Sequence, residues 1–320
     1  MSSSHIAIFI VCSVLEGFVS FVGPVINGTI CYIFYKNPRL LTPQNIFTAT
    51  ISLSDFWMSL VPIPMAFVAN ILQRWPFGFT GCQIHAFLVF QLGLVTITHL
   101  TAATVEKYLT ITKSLNSSSF VSRRQTLFAV ASLWIYTLSF SVCPLLGISK
   151  FGYEGLKVSC SIIWNTNSTK EHIYFGFLFL GCFLIPLAVI CRLNFCLLTT
   201  MKQMRRQMFG IYGSQSVTVY LFYKREKKAL LRVGLMVVAF LVAWTPYTVV
   251  SLATIICGSS WISPGVSTMT ASFAKTSCIL NAIVNMFCNK SLRMLVLSAM
   301  PFYGRSNTVL PTLRIKMIKN

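Results

Sequence analysis

Acidic side chains are almost missing from this chain: 320 residues hold six Asp and Glu against 26 Lys and Arg, a formal net charge of +20. Charge of either sign is scarce, at 10% of residues, while 55% are hydrophobic and the mean hydropathy is +0.72. This composition excludes a soluble globular domain, which carries charge on about a quarter of its residues. Histidine is rare too, and His5, His85, His99 and His172 stand in separate segments, a spacing that suits no metal centre. Phosphate-binding glycine loops, hydrolytic triads, internal repeats and low-complexity tracts are likewise missing. The opening "MSSSHIAIFIVCSV" has no basic segment ahead of its apolar run, so it reads as the start of a membrane span and not as a cleaved signal peptide.

What fills the chain instead is long uncharged runs, over residues 17–35, 75–105, 125–149, 172–191 and 233–274. About 20 helical residues cross roughly 30 Å of hydrocarbon. The last run is twice that length and is broken by "CGSSWISPG" into parts of two helices. With the apolar segment around Asp55, seven spans result, over residues 6–35, 43–71, 79–112, 124–147, 172–202, 219–257 and 264–288. The expected fold class is an all-α membrane protein, a seven-transmembrane helix bundle forming one domain over residues 1–303. An amphipathic helix over residues 289–300, "NKSLRMLVLSAM", is expected along the inner leaflet, with a cytoplasmic tail over 304–320. Pro144, Pro186 and Pro246 fall inside spans, where they kink helices.

The basic residues report orientation. With the N-terminus extracellular, 21 Lys and Arg fall on the cytoplasmic side and only Arg74, Lys150, Lys157 and Lys170 outside, with Lys275 left within the membrane. That asymmetry is the positive-inside pattern of a multi-pass protein, expected here in the plasma membrane, and its partner is anionic membrane lipid; nucleic acid is not implied. Most of the eleven cysteines lie inside spans as small apolar residues. Cys82 and Cys160 both face the outer, oxidising compartment, so a disulfide between them is expected. Asn167, in "NST" of the same outer loop as Cys160, is a glycan acceptor candidate.

Lys275 is the fault in the last span. In "TASFAKTSCILNAIVNMFCNK" it sits among apolar and small residues, near mid-membrane. A charged lysine there costs roughly 2.5 to 3.5 kcal/mol on insertion scales, and such residues are functional by default. An apolar pocket favours the neutral amine, which is a nucleophile toward an aldehyde.

Several short constellations stand in order along the spans: "INGT" with Asn27, "SLSD" with Asp55, Cys82, "EKY" over Glu106, Lys107 and Tyr108, Trp134, Pro186, "AWTPY" ending in Tyr247, and "NAIVN" from Asn281 to Asn285. In that order and spacing they resemble the rhodopsin-like (class A) G protein-coupled receptors over essentially the whole chain. Lys275, six residues before Asn281, and the loop "YEGLKVSCSIIW" make the chain similar to the animal opsins within that family. The resemblance implies a photoreceptor in which retinal, 11-cis or all-trans, is held as a Schiff base on Lys275. Trp244, Tyr247 and His85 are then expected at the chromophore, and light-driven isomerisation drives helix movement and signalling through a heterotrimeric G protein, with arrestin a further partner. Glu154, six residues before Cys160, matches a lid-loop counterion position of the family, and Glu16 is its rival because span one can approach span seven. Glu106 and Glu226 lie at the cytoplasmic ends of spans, Asp55 lies too deep, and Glu171 starts span five outside the pocket. Asn27, Asp55 and Asn281 are expected to form a polar network inside the bundle.

Three positions depart from the usual opsin pattern. Lys107 replaces an arginine and loses its planar five-donor fork. Ala282 and Asn285 replace the proline and tyrosine of the seventh-span motif, whereas Glu226 keeps the acid expected to pair with span three in the resting state. Opsins that act mainly as retinal photoisomerases can share the "NA" pair, so photoisomerisation with little G protein signalling is the alternative reading. A microbial-type light-driven pump is excluded by the lack of any acid from residue 75 to 105.

Overall fold

The computed structural model describes residues 3–115, 121–212, 217–288 and 292–295. Helix α1 (Ser3–Lys36) leads through a short 3-10 turn into α2 (Pro43–Leu60) and α3 (Pro62–Leu72), then α4 (Gly78–Leu115) and α5 (Arg123–Ser141). A hairpin of β1 (Phe151–Glu154) and β2 (Ser159–Ile162) follows, then α6 (Thr169–Phe179), α7 (Ile185–Tyr212), α8 (Val217–Cys257), α9 (Pro264–Lys275) and α10 (Ser277–Cys288). Six stretches among the described residues are long and apolar enough to cross a membrane: Ser4–Lys36, Pro43–Leu72, Gly78–Thr112, Thr169–Gln207, Glu226–Cys257 and Pro264–Cys288. The remaining span is α5, opened by Arg123 and Arg124 and carrying Gln125, Thr126 and Ser132, which dilute its apolar character although it packs on α4. Large apolar side chains such as Phe21, Phe128 and Phe177 face outward around the bundle, as a lipid-facing surface requires.

Several spans are broken, each for a local reason. The second divides at Val61 because Pro62 has no N–H to donate and its ring opposes the preceding turn. The fourth ends at Ser141, short of the expected residue 147: Pro144 disfavours helix at Cys143, and turns continue to Gly147, whose φ is +77°. In the fifth, α6 and α7 are joined by a π-helical turn, Leu180–Leu184, placed just ahead of Pro186, where the normal ladder cannot be donated. Pro24 and Pro246, by contrast, lie inside continuous helices. The seventh span steps at Thr276, whose backbone N–H donates to the Phe273 carbonyl at 3.0 Å, so Lys275 is the last residue of α9.

The fold is not wholly α: the loop before span five contains the antiparallel hairpin, in which Tyr153 faces Cys160 and Glu154 faces Ser159. A disulfide joins Cys160 to Cys82 near the start of α4. Phe151, Ile162, Ala86, Phe175 and Cys182 close a buried cluster beneath the hairpin. The hairpin thus becomes a roof over the helix ends. Most of the expected amphipathic helix over 289–300, and the tail over 304–320, lie outside the described residues; residues 292–295 are helical, with Leu292 packed against Ile30, Ile33 and Phe34 of α1.

Candidate ligand-binding site around Lys275

Lys275 ends α9 with 2% of its side chain exposed, and its amine meets an acid from the opposite side of the sequence. Lys275 Nζ donates to Glu16 Oε1 at 2.8 Å and, more weakly, to Ser159 Oγ at 3.4 Å. Glu16, with 1% of its side chain exposed, is held by two further donors: Ser272 Oγ at 2.9 Å on Oε1 and Asn70 Nδ2 at 2.7 Å on Oε2. Helix α1 packs against α3 and α9 together, which brings Glu16 of α1, Asn70 of α3, and Ser272 and Lys275 of α9 to one point. Sequence reasoning did not find Ser272, Asn70 or Ser159. Ser272 lies three residues before Lys275 and hence on the same helix face, the one signal the sequence carried for it.

Of the two acids expected as partners of Lys275, Glu154 and its rival Glu16, it is Glu16 that contacts the amine, while Glu154 stands at the edge. Glu154 ends β1 at the hairpin turn, half-buried, hydrogen-bonded to Ser161 and Tyr247. Burial pushes its carboxyl up to about 7, against the opposing pull of the Lys275 charge and of those two hydrogen bonds. Tyr247 in turn accepts from Trp164 Nε1 at 3.2 Å. Glu154 and Ser159 are cross-strand partners on one face of the hairpin; the Ser159 hydroxyl reaches the Lys275 amine, whereas the Glu154 carboxyl is bonded to Ser161 and to Tyr247 of α8.

On its other side Lys275 opens into a cavity of about 920 Å³, open solvent included, walled by Phe90, Ile97, Phe183, Phe240 and Trp244 and roofed by the hairpin. Trp244 lies across Gly93 of α4: a Cβ on Gly93 would come within 2.8 Å of the indole, so only glycine lets the ring reach that depth. The indole Nε1 donates to Ser277 Oγ at 3.0 Å. Tyr247 lines the same cavity. His85, expected at the ligand, sits behind the wall, its Nδ1 3.0 Å from the Cys160 carbonyl and its ring edge-on to Trp75 at 5.1 Å.

The residues present suit retinal. A long apolar slot lined by aromatic rings ends at a primary amine, the group that condenses with an aldehyde, and a carboxylate stands beside that amine. Among the described residues no cluster of His, Cys, Asp and Glu could hold a metal ion.

The remaining expected positions fall at two other levels of the bundle. Asn281 Nδ2 donates to Asp55 Oδ2 at 3.0 Å, whereas Asn27 is bound to the Gly23 and Cys278 carbonyls at 3.1 Å each and makes no direct bond to Asp55. At the end away from the hairpin, Lys107 Nζ donates to Glu226 Oε2 in a buried ion pair. Glu106 instead accepts from Thr110 Oγ1 at 2.8 Å, and Tyr108 packs on the cluster of Ile111, Met201 and Leu230. Asn167 is exposed in the loop before α6.

The pattern of the family described as "7 transmembrane receptor (rhodopsin family)" matches residues 26–284. Among curated proteins, the chain is 31% identical over 265 residues to a "Melanopsin-B" of Xenopus laevis, covering 82% of this chain and 49% of that one. It is 30% identical over 292 residues to a "Melanopsin" of Mus musculus, covering 89% and 55%. A "Melanopsin-like" protein of Danio rerio is 29% identical over 298 residues, covering 93% and 58%. The chain thus spans about half the length of the curated relatives it matches. The crystal structure of squid rhodopsin has the same fold, with a TM-score of 0.85 and 22% identity over 93% of this chain and 86% of that one.

Proposed function

This chain belongs to the rhodopsin family of seven-transmembrane receptors, among the animal opsins, and from that premise we propose that it is a light sensor carrying retinal on Lys275. The observation that carries the reading is a buried amine at the closed end of an aromatic slot, on the side chain that ends α9. When bound, retinal supplies visible absorption and a light-driven change of shape; its aldehyde and the amine form one C=N bond and release one water. The protein's residues do the rest. Glu16, Ser272 and Ser159 orient the Lys275 nitrogen, the hairpin excludes water, and Phe240 and Trp244 form the aromatic wall across the slot. Trp244, on the wall of the slot, is bonded to Ser277 of α10, so a bound retinal would meet a side chain that links α8 to α10.

At the far end of α8, Glu226 holds α4 through Lys107. Outward movement of α8 separates that pair and opens the surface that a heterotrimeric G protein occupies. Arrestin competes for the same surface. In this reading the protein sits in the plasma membrane with the hairpin, the N-terminus and Asn167 outside the cell. Purified protein loaded with retinal and illuminated in the presence of heterotrimeric G protein is expected to accelerate nucleotide exchange several-fold over the dark sample. Light that converts the bound isomer without any acceleration would instead assign photoisomerase activity.

A further inference from the structure

We infer that the first helix supplies the counterion: Glu16, fixed by Asn70 and Ser272, balances the positive charge on the Lys275 nitrogen, and Glu154 does not. The inference rests on Lys275 being the retinal-bearing residue. A cation enclosed in an apolar site keeps its proton only beside an opposite charge. Glu16 offers that charge at 2.8 Å, whereas the structure gives Glu154 no bond to the lysine.

The surroundings of Glu16 place donors on both of its carboxyl oxygens. Oε1 accepts from both Ser272 and Lys275, and Oε2 accepts from Asn70, so three donors converge on one buried acid. Asn70 is itself fixed by a second bond, to the Ala66 carbonyl at 3.0 Å. These donors fix the carboxyl group in position beside the lysine nitrogen. The other titratable groups near the lysine are Cys12 on α1, His85 on α4 and Glu154 on β1. Only Glu154 among these is an acid, and burial holds its carboxyl partly neutral near pH 7. In its protonated form a link at the lysine nitrogen would carry a single N–H, and Glu16 Oε1, which accepts from the free amine, would be the acceptor nearest to it. Asn70 and Ser272 act through Glu16 and are positioning residues.

The test has two arms. In the retinal-free protein, reductive methylation of Lys275 by formaldehyde and cyanoborohydride, followed by peptide mass spectrometry across a pH series, reads how firmly the amine is held protonated. Glu16→Gln is expected to raise the extent of methylation at neutral pH several-fold, as loss of a contacting opposite charge frees the amine; Glu154→Gln is expected to change it little. In the retinal-loaded protein, Glu16→Gln is expected to shift the dark band from the visible to the near ultraviolet at neutral pH, and Glu154→Gln to leave it visible. Asn70→Leu, which withdraws one donor, is expected to raise the pH of the acid-side spectral transition. If Glu16→Gln does not accumulate, Glu16→Asp carries the test with a smaller shift in the same direction. Unchanged methylation and an unchanged visible band in the Glu16 variants, with both changes in Glu154→Gln, would overturn the inference. Absence of covalent retinal in every sample, with the methylation shift intact, would leave the Glu16–Lys275 pair standing and remove the reading on which the pigment depends.

Discussion

Two carboxylates share the neighbourhood of one lysine, and their surroundings assign them different work. Glu16 is enclosed by three donors, whereas Glu154, at the end of β1, has the hydroxyls of Ser161 and Tyr247 as partners and no cation in contact. With its carboxyl raised from 4.5 to about 7, Glu154 binds a proton more tightly in the folded protein than in the unfolded chain. Stability from this group is therefore full below about pH 4.5, falls between 4.5 and 7, and is flat above. Thermal unfolding of the retinal-free protein in detergent should show that decline, on the order of 1 to 2 kcal/mol once partial exposure is allowed for. Glu154→Gln should flatten it, and a slope unchanged in that variant would place its origin in another group. Lys275 was legible in the sequence because a lone cation in an apolar run is conspicuous. Its partner Glu16 was legible only as the rival of Glu154, because which face of α1 meets α9 depends on packing across more than 250 residues of chain.

Among the elements, the hairpin explains most of how the site is closed. Cys160 ties it to α4, and its turn is pressed onto the start of α9, where Leu156 N–H donates to Thr268 Oγ1 at 2.9 Å. Gly155 makes that contact possible: its φ is +54°, and a Cβ there would stand 2.3 Å from Thr268 Oγ1 and 2.7 Å from the Pro264 carbonyl. Gly155→Ala should therefore loosen the roof by about 2 to 3 kcal/mol, from backbone strain and collision together. Gly147→Ala, at φ +77° with open space around it, should lose only about 1 kcal/mol. Hydrogen exchange in residues 151–162 is the measurement, and equal protection in the two variants would contradict the docking described. The strands themselves were hidden in the sequence. "YEGLKVSCSIIW" has no strict alternation, and its pairing is set by the disulfide and by the helices beneath it. The break at Val61 and the π turn ahead of Pro186 were marked by proline, but proline signals only that a helix is disturbed and not how the chain resolves it.

At the scale of the whole molecule, the seven spans were readable because hydropathy summed over 20 residues outweighs any local ambiguity, and the order of short motifs fixed the family. Helix α8 links the levels of the bundle. Glu226 and Trp244 are 18 positions apart on it, about 27 Å along the axis, so a small rotation at the ligand end becomes a displacement at the Lys107–Glu226 pair. Light sensing by this protein requires retinal joined to Lys275. The most direct measurement is to add retinal to the purified protein in the dark, reduce with borohydride, digest and locate the retinyl group by mass spectrometry. One retinyl group on the peptide containing Lys275, lost in Lys275→Ala while folded yield persists, is the result predicted; a retinyl group on another lysine, or one that survives in Lys275→Ala, would contradict it.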